Sequence, residues 1–415
     1  MSGATAALDS KQAPWLSSGP LSKLLDALNS DGEETRVVGG AVRNALLQMP
    51  VGEIDLATTA VPDEVVKRAK KAGFHPVPTG IEHGTVTVVI DGKPFEVTTL
   101  REDVETDGRH AKVRFGRDWK RDAERRDFTM NALSLKRDGT VVDFVGGLKD
   151  LEARKVRFIG DAETRIREDY LRVLRFFRFH AGYGAGQMDR EGLAACIRAR
   201  GGLAALSRER VRAELLKLIM TPHAVPTLAV MSETGLLGAV LGGVPLLASY
   251  SNLVKVETAA KLPKDAVRHL AALGVFIVED ADRLRERLRL ANTEHERLRS
   301  MGDRWWRISP QAGEQAAKAL LYRIGAENFR DRAVIALARS QAKDNDKAWL
   351  DLVSLPDRWT PPEFPLKAKD FMDRSVEKGP ALGTALARAE TAWIEAGFPQ
   401  DKVSLNLIAE RATSS

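Results

Sequence analysis

The sequence predicts an α+β protein: a small antiparallel sheet with helices, followed by an all-helical remainder. Three observations carry this. Valine- and threonine-rich runs (RVVGG, TVTVVI, FEVTTL, VVDFVG) lie between glycine and aspartate turns from Arg36 to about Lys155, the pattern of short strands. Asp91-Gly92 separates TVTVVI from KPFEVTTL, and a two-residue link of this type supplies the positive φ values of a primed hairpin turn. Beyond about Ile159 the strand signals nearly vanish. There RIREDYLRVLRFFRFHAGY and RERVRAELLKLIM repeat apolar residues at spacings of three and four, the helical period.

Taken in order, residues 1–35 read as a helical extension whose amphipathic stretch LSKLLDALNS ends near Asp31-Gly32. Residues 36–158 form the sheet-bearing head. Breaks rich in Gly and Pro at 241–251 and 355–365 then divide the helical part into 159–245, 246–360 and 361–415. No internal repeat or low-complexity tract interrupts this order. At roughly 100–200 residues per domain, a chain of 415 residues has material for two to four cores.

Composition narrows the function. Hydrophobic residues at 44% and charged residues at 29% exclude collagen-like and disordered classes. The lone Cys196 forms no internal disulfide and no four-thiolate zinc site, and the seven histidines lack metal spacing. No run approaches the roughly 18 apolar residues of a membrane span, and the start MSGATAALDSKQAPW lacks the basic-then-apolar pattern of a secretion signal. A cytoplasmic protein is expected, with no membrane partner; nothing specifies an oligomeric state. Lys and Arg number 63 against 57 acidic residues, a net charge of +6 that favours polyanionic partners.

The most informative segment is VVGGAVRNALLQMPVGEIDLATTA, residues 37–60. It reads as strand, glycine turn, helix, loop, strand. Gly39 and Gly40 let backbone approach a ligand, and the helix that follows presents unpaired amides that favour phosphate. Arg43, in the first turn, can add charge-assisted hydrogen bonds to a triphosphate. Glu53 and Asp55 sit at i and i+2, so on a strand both carboxylates face one side and can share one or two hard cations. Nucleotidyl transfer uses two Mg2+ ions about 3.5–4 Å apart. Glu96 alternates with Thr98 on the second hairpin strand, where a third carboxylate can approach the same metals.

The segment resembles the signature of the class II nucleotidyltransferases of the polymerase-β superfamily, which includes tRNA CCA-adding enzymes and bacterial poly(A) polymerases. Residues 95–115, 122–133, 144–179 and 207–219 are similar to the family's successive motifs, in the same order. The resemblance implies a nucleotidyltransferase head followed by a helical neck, body and tail, the tail binding tRNA. It makes Glu53, Asp55 and Glu96 the catalytic carboxylates, with Glu53 and Asp55 as Mg2+ ligands. It makes Arg126, Asp127 and Asn131 the element for ribose and triphosphate. The chain departs from the pattern at three places: Glu53 stands where Asp is usual, Asn44 where Asp is common, and Gln48 where Gly is common. The longer Glu53 arm puts metal spacing and rate at issue.

Glu168 to Arg178 reads as helical throughout, with Asp169 and Arg172 on one face and Arg175 and Arg178 following at the same interval. A carboxylate only accepts and a guanidinium only donates. One such pair therefore reads both cytosine and adenine, each of which offers an amino donor beside a ring-nitrogen acceptor, and mismatches uracil and guanine. By resemblance this is the nucleotide-selecting helix, with Asp169 and Arg172 on the base edge. Residues 98–120 are similar to the flexible loop that full CCA-adding members retain, in which Arg109 is the coupling residue. The implied activity is addition of CCA to tRNA 3′ ends from CTP and ATP. A bacterial poly(A) polymerase and a catalytically weakened RNA-binding relative stand as alternatives. In the tail, a Gly-Pro-x-x-Gly turn at 379–383 opens a helix. Trp305-Trp306 and Trp393 are expected as core anchors.

Overall fold

The computed structural model describes residues 4–9, 11–81, 84–105 and 112–413. Their contacts divide the chain into two compact units, Met1–Thr227 and Leu228–Ser415.

The first unit holds an eight-stranded sheet made of β1 (Ala4–Ala7), β2 (Thr35–Val38), β3 (Asp55–Thr58), β4 (His75–Gly80), β5 (Thr85–Ile90), β6 (Lys93–Thr99), β9 (Ser134–Leu135) and β10 (Thr140–Asp143). A separate two-stranded ribbon joins β7 (Arg101–Glu105) to β8 (Lys112–Phe115). The order across the large sheet is β1-β10-β9-β2-β3-β6-β5-β4. Every pair in it is antiparallel except β3 with β6, which run parallel and set Asp55 level with Glu96. The hairpin is as the sequence predicts: Asp91 and Gly92 have φ of 50° and 74°, and β5 and β6 pair up to Ile90 and Lys93. Alternation along β5 buries Val86, Val88 and Ile90.

Helix Pro20–Leu28 buries Leu21, Leu24, Leu25 and Leu28 against β2 and helix Pro62–Lys71. Each such leucine contributes about 1.5–3 kcal/mol. Residues 1–35 are not wholly helical, however. β1 pairs along β10, Ala4 opposite Asp143 through Ala7 opposite Thr140. Its sequence ATAA carries too little hydrophobic contrast to announce a strand, and an edge position asks for little.

The expected helix across 168–178 is broken. Helix Ala162–Glu168 ends, Asp169 is extended (φ −156°, ψ 105°), and helix Leu171–Tyr183 begins. The cause is local: the Asp169 carboxylate accepts from the Leu171 amide at 3.1 Å, and aspartate capping competes with continued helix. Phe176 and Phe179 of the second helix pack on Phe128 and Phe158, with ring centres 5.2–6.4 Å apart. This aromatic cluster fixes helix Leu171–Tyr183 on the sheet-bearing part of the first unit. Helix Arg208–Ile219 packs along it.

In the second unit every described element is helical. Arg268 is buried between Glu257 (2.7 Å) and Asp331 (2.9 Å), and Asp331 also accepts from Arg297 (2.6 Å). Breaking such a buried pair from one side costs about 3–5 kcal/mol. Helix Pro380–Glu395 opens at the Gly-Pro turn and buries Trp393 completely, against Phe371, Ala389 and Phe398. Trp393 is therefore a core anchor, whereas Trp306 is 55% exposed and is not.

Candidate active site

The carboxylate cluster forms where β3 begins. Asp55 is its first residue, so its side chain lies at the sheet's end, and parallel pairing brings Glu96 alongside. Glu53 lies just before the strand rather than within it, yet its charge still reaches Asp55. All three are exposed. Desolvation at the sheet end, then the charges of Glu96 and Glu53, push the Asp55 carboxyl above its usual range, with Arg126 pulling the other way. The cluster thus holds like charges that a cation would relieve.

Gly39 approaches from the neighbouring strand end. Its φ of +72° strains any other residue, and a Cβ there would stand 3.3 Å from Arg126 Nη1. A Cβ at Gly40 would make only an ordinary 3.5 Å contact with Arg43. Arg126 is aimed by Asp122, which accepts from its Nε at 3.3 Å and Nη2 at 3.2 Å. Burial of Asp122 opposes ionisation, but the charges of Arg126 and Arg125 outweigh it and hold the carboxyl below its usual range.

Arg43 is not the free phosphate ligand its helix position suggests. It is 5% exposed, donates to Asn131 Oδ1 at 2.5 Å, Tyr183 Oη at 2.7 Å and Asn44 Oδ1 at 2.8 Å, and lies 3.8 Å from the Tyr183 ring centre. Burial lowers its pKa from the usual guanidinium value. Asn131 in turn donates to Asp127 Oδ1 at 3.1 Å, and Asp127 Oδ2 accepts from Arg175 at 2.6 Å. A continuous chain Tyr183–Arg43–Asn131–Asp127–Arg175 therefore ties the glycine turn to the neck helix. Tyr183 was invisible to motif reading, being remote in sequence.

Asp169 and Arg172 are brought near one another but not into a shared pair. Because the helix breaks between them, Asp169 bonds Arg210 at 2.6 Å, while Arg172 bonds Glu168 and the Arg165 carbonyl. Arg178 bonds buried Glu214 at 2.5 Å, which lies 3.9 Å from Arg175. Arg210 and Glu214, both on helix Arg208–Ile219, were not singled out by sequence; only their place in a family-like block could have flagged them. Arg109 lies outside the described residues, between the β7 and β8 strands.

The donor set suits magnesium. Carboxylate oxygens are the hard ligands this ion takes, and it is usually held by one or two of them together with substrate phosphates and water. Among the described residues no three acidic, imidazole or thiol groups are placed so that together they could hold a metal ion.

Residues 35–157 match the family model described as "Poly A polymerase head domain", and residues 187–250 the one described as "Probable RNA and SrmB- binding site of polymerase A". Over 97% of its length the chain is 33% identical to mitochondrial CCA tRNA nucleotidyltransferase 1 of Danio rerio, covering 93% of that protein. It is likewise 33% identical to the Homo sapiens counterpart over 97% of its length, covering 92% of that one. The crystal structure of the Bacillus stearothermophilus CCA-adding enzyme in complex with CTP superposes with a TM-score of 0.74 at 26% identity, over 94% of this chain and 95% of that one.

Proposed function

The chain belongs to the CCA tRNA nucleotidyltransferase family, and from that premise we propose a division of labour among its residues for adding CCA to tRNA 3′ ends from CTP and ATP. The observation that carries the activity is the near full-length likeness to CCA tRNA nucleotidyltransferases, in a chain whose Asp55 and Glu96 stand level in the sheet with Glu53 beside them. The likeness speaks against bacterial poly(A) polymerase, a name that the head and RNA-binding family models carry.

Glu53 and Asp55 hold Mg2+ through their carboxylate oxygens. When bound, the ion supplies charge for the triphosphate and acidifies the attacking hydroxyl. Glu96 orients the primer end from the adjacent strand. Gly39 leaves backbone room for the phosphates, and Arg126, steered by Asp122, meets their charge. Asp127 and Asn131 receive the sugar and triphosphate, with Arg43 acting behind them as a positioning residue. Asp169 accepts a hydrogen bond from the amino group of cytosine or adenine while Arg172 donates to the neighbouring ring nitrogen. For this, Asp169 must exchange Arg210, and Arg172 must exchange Glu168, for the base. Uracil and guanine cannot complete that exchange and leave buried polar groups unpaired, at about 1–3 kcal/mol each. Arg109 couples the loop to this selection, and the segments 159–245, 246–360 and 361–415 serve as neck, body and tail. No described helix is long and apolar enough to cross a membrane.

The test is a tRNA transcript lacking its CCA end, incubated with CTP and ATP separately and together. Two additions with CTP alone, three with both and then a stop are expected. A long A tail without use of CTP would make it a poly(A) polymerase; no incorporation would make it a weakened relative.

A further inference from the structure

The second unit carries a surface that the reaction does not use. The short turn Trp305–Arg307 leaves Trp306 55% exposed, and nearby Phe276 and Ile277 are 48% and 43% exposed. Scattered apolar residues are ordinary on surfaces; these are joined. Trp305 sits edge-on between Phe276 and Trp306, with ring centres 5.2 and 5.8 Å apart, and its Nε1 donates to the Phe276 carbonyl at 2.9 Å. Beneath it the Arg339 guanidinium lies 4.8 Å from the indole centre and donates to Ser249 Oγ at 3.0 Å. Burial pushes the Arg339 pKa down to about 10, so it stays cationic at neutral pH. The platform is built to be rigid while its outer ring faces water.

Charge at its edges indicates the occupant. Arg304, in the left-handed region at φ +51°, and Arg307 flank the two indoles, and both are exposed. The adjacent carboxylate, Asp303, lies 3.7 Å from Arg304 but is shared with Arg332 at 3.2 Å. Among the described residues the Arg307 side chain has no hydrogen bond or ion pair. An open indole face beside an uncompensated guanidinium matches a nucleotide, whose base stacks and whose phosphate is anionic.

We propose that Trp306, with Arg304 and Arg307, is a base-stacking contact for the tRNA body, a proposal that rests on tRNA being the partner. Affinity for a fluorescently labelled tRNA transcript lacking CCA is measured for Trp306→Ala, Trp306→Tyr and Arg307→Ala. Trp306→Ala should weaken binding about tenfold, the usual scale of one stacked base. Trp306→Tyr should restore most of it, while CTP affinity and turnover at saturating tRNA stay unchanged. Arg307→Ala should lower the slope of log Kd against log salt by about one. Unaltered tRNA affinity in Trp306→Ala would overturn the proposal, as would a weakening that Trp306→Tyr fails to rescue. So would concentration-dependent self-association of the wild type that Trp306→Ala abolishes, which would make the face a protein contact. If the wild-type chain itself neither binds nor extends the transcript, the tRNA reading fails instead.

Discussion

The two ends of the site treat charge in opposite ways. At the start of β3, Glu53, Asp55 and Glu96 crowd three exposed carboxylates, and among the described residues Arg126 is the cation that lowers the Asp55 pKa. On the neck, Asp169, Arg172, Arg175 and Arg178 are each already paired within the protein. The first region is a concentration of negative charge that a cation would relieve; the second is a set of saturated pairs that a ligand would have to replace. Charge crowding favours tight capture of ions. Replacement favours selectivity, because only a base able to restore both donors and acceptors breaks even with what it displaces.

Removing a carboxylate should have the largest effect. Asp55→Ala should lower incorporation of every nucleotide about a thousandfold, since several kcal/mol of charge stabilisation at 1.36 kcal/mol per tenfold is at stake, while circular dichroism stays native. Near-normal turnover would mean that this concentration of charge serves no cation. The same crowding makes a second, opposite forecast for Asp55→Asn. A carboxyl whose folded pKa is raised favours the fold below its unfolded pKa and loses that contribution as pH rises through the folded value. At pH 7 without metal the ionised Asp55 is a strain, so Asp55→Asn should raise Tm slightly, by about 1–2 °C, with no gain near pH 3.

Selectivity should respond to the neck alone. Arg172→Ala should reduce preference for CTP and ATP over UTP and GTP by roughly 10–100-fold, measured in four-way competition on one primer. Arg126→Ala should instead weaken all four about equally, because phosphate is common to them. A variant of Arg172 that loses rate but keeps full discrimination would erase the contrast between the regions.

Two smaller changes sharpen it. Glu53→Asp should leave turnover equal or raise it a few-fold, since the shorter arm keeps the same oxygens; inactivation would mean the site is built around the longer ligand. Gln48 occupies φ +56° where family members commonly have glycine. Gln48→Gly relieves about 1 kcal/mol of strain but loosens the unfolded chain by about 0.4–1 kcal/mol. Denaturant midpoints should therefore barely move, and activity should not change.

The head was legible because its signals are local. A Gly-Gly turn, a Glu-x-Asp step and an Asp-Gly hairpin are each set by a few adjacent residues, and the structure realises the turn and the hairpin directly. What escaped was decided at a distance. Arg43 looked free because its partners Asn131 and Tyr183 lie about 90 and 140 positions away. The Asp169 break hid inside a good helical period, since periodicity does not register a carboxylate turning to cap the next turn. Trp306 looked like core because composition cannot say which of two adjacent indoles faces inward.

The parallel pairing of β3 with β6 also bears on how the chain reaches its native state. Asp55 and Glu96 are about 40 residues apart along the chain, whereas β5 and β6 are joined by a two-residue turn. Hairpins close in about 1–10 μs, while distant contacts wait for the entropy of a longer loop to be overcome. β3 also pairs with β2, only about 20 residues away, so the β3–β6 contact that sets Asp55 beside Glu96 is the more distant closure of the two. The juxtaposition of the two carboxylates therefore depends on a contact between segments far apart in the chain, unlike the β5–β6 hairpin, which is set by adjacent residues.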